Sequence, residues 1–103
     1  MPVVAYVPDL MDRSKVAAAV PGATFVDRPD ALAPIASGAD VVVVDLGRPG
    51  VLEALPALVA TGARVIGFGS HVERATLEAA AATGCEAMPR SQFFRSLGDL
   101  AAG

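Results

Sequence analysis

The run Ala39-Asp40-Val41-Val42-Val43-Val44-Asp45-Leu46-Gly47-Arg48-Pro49-Gly50 constrains the fold of this chain more than any other segment. Four consecutive valines can be buried on both sides, the pattern of a central parallel strand rather than of a half-wet antiparallel one. The run stops abruptly at a carboxylate, and the Leu-Gly-Arg-Pro-Gly that follows continues neither strand nor helix. Open α/β sheets place their ligand crevices at the carboxyl ends of such strands, so Asp45 is the first candidate for chemistry.

The rest of the chain alternates in the same way. Val3 to Val7 reads as a strand ended by Pro8. Asp9, with Asp12 three residues on, can cap a helix running to about Val20 and stopping at Pro21-Gly22. Thr24 to Asp27 is a short second strand, and Asp30 to about Ser37 a short, proline-interrupted helix. After the valine strand, Val51, Leu52, Leu55, Leu58 and Val59 form the apolar stripe of a helix that breaks at Thr61-Gly62. Ala63 to Phe68 is a fourth strand. Ser70 and Glu73 make the S-x-x-E capping box of a fourth helix ending at Gly84. Glu86 to Met88 is a short edge strand, and Ser91 is placed to cap a last helix carrying Phe93, Phe94, Leu97 and Leu100.

Five strand–helix units in 103 residues leave only short loops. Right-handed crossovers then give a three-layer α/β domain, a five-stranded parallel sheet with helices on both faces. The flavodoxin-like order 2-1-3-4-5 suits this count and sets Asp9 and Asp45 across one crevice at the switch point. The expectation is a single domain over residues 1–103, with no repeat, linker or low-complexity segment.

Composition narrows the function classes. With 53% hydrophobic and 18% charged residues the chain is an apolar globular domain. A net charge of −3 without a basic cluster argues against nucleic-acid binding. No apolar run approaches the roughly 20 residues that span a bilayer. The opening Met-Pro-Val-Val lacks a basic region, so no signal peptide is expected and a cytoplasmic location is the simplest reading. The single cysteine, Cys85, excludes an internal disulfide and a multi-cysteine metal site, and reads as a small buried residue. Phosphate-binding glycine motifs and the G-x-S-x-G nucleophile elbow are absent, and no enzyme activity is expected.

Val44-Asp45-Leu46 with Pro49-Gly50 downstream, Arg64-Val65-Ile66-Gly67-Phe68 leading into Gly69-Ser70-His71, and the Ala-rich helix closing on Thr83-Gly84-Cys85 resemble the receiver domain of bacterial response regulators over nearly the whole chain. The resemblance implies that Asp45 stands at the phosphoacceptor position. It also exposes departures. Val7-Pro8 occupies the place of the acid pair that holds magnesium beside the phosphoacceptor, leaving only Asp9. The hydroxyl expected after strand 4 falls on Gly69, with Ser70 as a shifted substitute. The expected Lys-Pro appears as Arg90-Ser91, one residue early, and arginine needs a different geometry from lysine.

The expectation is therefore a degenerate, stand-alone receiver-like domain that signals through protein–protein contact, with no cofactor and no metal. Two alternatives stay open: an active single-domain response regulator phosphorylated at Asp45, and a small flavodoxin-like ligand-binding or structural module. Asp45 lines the site with Asp9, Ser70 and Arg90. Each also has a plainer role: Asp45 as a helix cap or a ligand of loop amides, Asp9 and Ser70 as caps, Arg90 as a solvated side chain or as a partner of Asp45. His71 is expected on an exposed first turn. A protein partner is expected, by resemblance at the helix 4–strand 5–helix 5 face near Phe93 and Phe94, with a homodimer as one form. Those two rings lie about 100° apart on a helix, so only one can face the sheet fully.

Overall fold

A computed structural model describes residues 2–102. Five parallel strands, β1 (Val3–Tyr6), β2 (Thr24–Phe25), β3 (Val41–Asp45), β4 (Arg64–Gly69) and β5 (Glu86–Pro89), form one sheet in the order β2-β1-β3-β4-β5. The helices between them are α1 (Leu10–Ala19), α2 (Ala33–Ala36, preceded by a 3-10 turn at Pro29–Ala31), α3 (Val51–Ala60), α4 (Arg74–Ala82) and α5 (Arg90–Ala102). This is the three-layer, flavodoxin-like α/β architecture that the alternation predicts.

Side chains of period two divide the core between the two faces of the sheet. Val4, Tyr6, Val42, Val44 and Val65 point toward Leu32, Leu55, Leu58 and Ala80 on the face covered by α2, α3 and α4. Val3, Ala5, Val41, Val43, Ile66 and Phe68 point the other way, onto Val16, Phe93 and Leu97 of α1 and α5. The valine run is buried throughout because both of its faces are covered. Asp45 has the parity of Val41 and Val43, which aims it to the α1/α5 side.

Local chemistry sets the ends of the elements. The Asp9 carboxylate accepts from the amide of Asp12 at 3.0 Å and caps α1, as predicted. Gly50, with φ at 83°, turns the chain into α3, and a Cβ there would lie 3.3 Å from Pro29. Two predicted caps are corrected. Residues 70–73 close a turn, the Glu73 amide donating to the Ser70 carbonyl at 3.0 Å, and α4 begins only at Arg74. Ser70 Oγ instead accepts a long bond from the Val72 amide inside that turn. Ser91 lies within the first turn of α5, which starts at Arg90 directly after β5. None of the helices among the described residues is long and apolar enough to cross a membrane.

Candidate functional site

The carboxyl ends of β1, β3 and β4 converge on Asp9, Asp45 and the turn at Ser70. β3 and β4 are in register with Asp45 opposite Phe68, and the Leu46 amide donates to the Phe68 carbonyl at 2.8 Å. Leu46 then drops to the α3/α4 face and packs on Gly67, where a Cβ would lie 2.7 Å from its Cδ2. Glycine at 67 leaves the space that the Leu46 side chain fills, next in sequence to Asp45.

Asp45 is a nearly buried carboxylate with its own donors. Oδ1 accepts from the Gly47 amide at 3.0 Å, and Oδ2 from Arg48 Nε at 3.3 Å. It therefore binds the loop that follows it rather than capping α3, whose N-cap is Gly50. Hydrogen bonding to the charged form stabilises a buried carboxylate, and the adjacent guanidinium offsets its charge.

Arg90 does not pair with Asp45. Its two terminal nitrogens grip Asp12 instead, Nη1 to Oδ2 at 3.0 Å and Nη2 to Oδ1 at 2.6 Å. The side chain of Asp12 is only 4% exposed, that of Arg90 47%. Asp12 stands in the first turn of α1 and Arg90 opens α5, so the pair ties together the two helices on one face of the sheet. The hydrogen bonds to Asp12 and, beyond them, the charges of Asp45 and Asp9 hold the guanidinium more firmly protonated than usual, against its partial burial. Arg90 thus sits in the field of all three acids but bonds one.

Around this pair the helices meet through aromatic rings. Phe93 is 1% exposed and stacks on Phe68 with centroids 4.7 Å apart. Phe94 is half-buried, edge-on to both rings at 5.4 and 5.0 Å. Phe93 is core, so its place as an interface candidate is corrected, while the expectation that only one ring faces the sheet fully holds. Lys15 Nζ, from α1, lies 5.0 Å from the Phe94 ring and Arg90 Cζ lies 5.3 Å from it.

The structure thus gathers Asp9, Asp45 and Arg90 at one sheet end and leaves Ser70 at its edge. Ser70 lines a separate cleft of about 390 Å3 with Leu46, Gly47, Gly69, Glu73 and Thr76. His71 is exposed, as expected, but in the turn ahead of α4 rather than on its first turn. Sequence reasoning treated Asp12 only as part of a cap and gave Arg48 no role. Arg48 had a local signal, three residues beyond Asp45, but the contact of Asp12 spans 78 positions. Among the described residues, no group of three or more His, Cys, Asp or Glu side chains is arranged to hold a metal ion. No model of a known protein family and no curated protein matches this chain.

Proposed function

We propose that this chain is a degenerate receiver-like domain that acts through contact with a protein partner, without magnesium-dependent phosphorylation at Asp45. The observation that carries the reading is the pairing of charges at the sheet end. Asp45 is taken by Gly47 and Arg48, and Asp12 by Arg90. Where a magnesium-binding acid pair would stand, just past the end of β1 at Tyr6, Val7 is buried apolar core and Pro8 follows it. A hydrated divalent ion needs carboxylates with free lone pairs and room for its waters. Two arginines already supply the positive charge here.

Protein contact is favoured by the apolar rim. Leu10 and Met11, on the first turn of α1, are 77% and 70% exposed, and Val72, on the β4–α4 loop, is 70% exposed. Large apolar side chains held this far out at one end of a small domain suit association. The cleft beside Ser70 favours a second reading, a small flavodoxin-like ligand-binding module.

Incubation with a small-molecule phosphodonor and magnesium, read by intact mass, tests the proposal. No phosphoryl adduct is expected. A magnesium-dependent adduct that disappears in Asp45→Asn would restore the active single-domain response regulator.

A further inference from the structure

The seam between α1 and α5 is closed by a small set of contacts beside the sheet-end crevice. Arg90 and Phe94 lie one turn apart on α5, and Asp12 and Lys15 lie one turn apart on α1. Arg90 bonds Asp12 through both terminal nitrogens, while the Phe94 ring has Arg90 on one helix and Lys15 on the other as its nearby cations. Phe68 lies beneath Phe94 and opposite Asp45 in register. A change of charge at Asp45 therefore arises one residue pair away from this seam.

We propose that the Arg90–Asp12 pair is a lock that fixes the α1–α5 seam, with Phe94 in it, independently of the charge on Asp45. Transfer of Arg90 to Asp45 is opposed at both ends. Both hydrogen bonds that the Asp12 carboxylate receives among the described residues come from Arg90, so the move would strand a nearly fully buried charge. At the other end Asp45 gains little, because the Gly47 amide and Arg48 already satisfy it. Arginine suits this role, since its planar fork matches both carboxylate oxygens at once and stays charged at any physiological pH. A conformational switch needs two arrangements of similar free energy, and the pairing here strongly favours one. The lock goes beyond the receiver-like reading and does not rest on it: a phosphoryl adduct on Asp45 would overturn that reading and leave the lock to be judged separately.

The test compares Asp45→Asn, Asp12→Asn and Arg90→Lys by ring and amide NMR shifts of Phe94 and by hydrogen exchange along α5. Asp45→Asn is expected to leave the Phe94 ring shifts in place and α5 exchange within about twofold of the parent. Asp12→Asn is expected to shift the ring and speed α5 exchange by about tenfold or more. Arg90→Lys, which keeps the charge but loses the two-pronged grip, is expected to fall between them, and it is the variant to read if Asp12→Asn does not fold. Equal effects of Asp45→Asn and the lock variants on Phe94, or an unmoved Phe94 ring in Arg90→Lys, would overturn the lock.

Discussion

Arg90 closes on Asp12 at 2.6 and 3.0 Å across 78 positions of sequence, joining the start of the last helix to the first turn of the first. Removing one member of such a pair exposes the cost of the other's burial more than the strength of the bond itself. Because Arg90 is half-exposed, solvent relieves part of that cost. Arg90→Ala is expected to destabilise the fold by about 2–3 kcal/mol, and Arg90→Ala with Asp12→Ala to cost at least about 1 kcal/mol less than the sum of the single changes. Arg90→Ala with Asp45→Asn is expected to be additive within about 0.5 kcal/mol. Urea denaturation of the six proteins, parent included, measures both cycles.

The two adjacent phenylalanines separate in the same kind of measurement. Phe93 is core, stacked on Phe68, and Phe93→Ala is expected to cost about 3–5 kcal/mol. Phe94 is half-buried, and Phe94→Ala is expected to cost about 1–2 kcal/mol, since less surface returns to water. Reversed costs would mean that the last helix is rotated by about 100° from its observed setting.

What was legible in the sequence was local. Val41 to Val44 announced a strand covered on both sides because neither face of it offers a polar position, and Asp9 announced a helix start because a cap acts within three residues. Ser70 and Glu73 matched a capping box equally well, yet the same four residues closed a turn and the helix began after them. Two local structures competed for one pattern, and the pattern alone does not rank them. The partner of Arg90 was misplaced for a different reason. Strand ends suggested Asp45, but Arg90 opens a helix packed beside α1, and the choice between Asp12 and Asp45 depends on how the two helices sit. Asp45 already having Arg48 removed the need for a distant partner.

Cys85 provides a pH signature. Burial just ahead of β5 pushes its thiol up from 9.0 to about 11, against a hydrogen bond from the backbone of Gly67 and with the neighbouring Glu86 charge adding to the rise. A raised folded-state value means that the stability this neutral thiol contributes is complete below the unfolded value and is lost as pH rises through the folded one. Stability is expected to fall between pH 9.0 and about 11 beyond what Cys85→Ala shows over the same interval. Denaturation midpoints of the two proteins against pH check this. Iodoacetamide is likewise expected to react slowly with the folded protein and quickly in denaturant.

Magnesium titration followed by backbone amide shifts tests the internal pairing of the sheet-end charges most directly. With Asp45 held by Gly47 and Arg48, Asp12 by Arg90, and Val7-Pro8 where an acid pair would stand, the shifts near Asp9 and Asp45 should drift without saturating, giving a dissociation constant weaker than several millimolar, on the order of non-specific binding. Saturable shifts centred on Asp9 and Asp45, half-complete below about 1 mM, would contradict it.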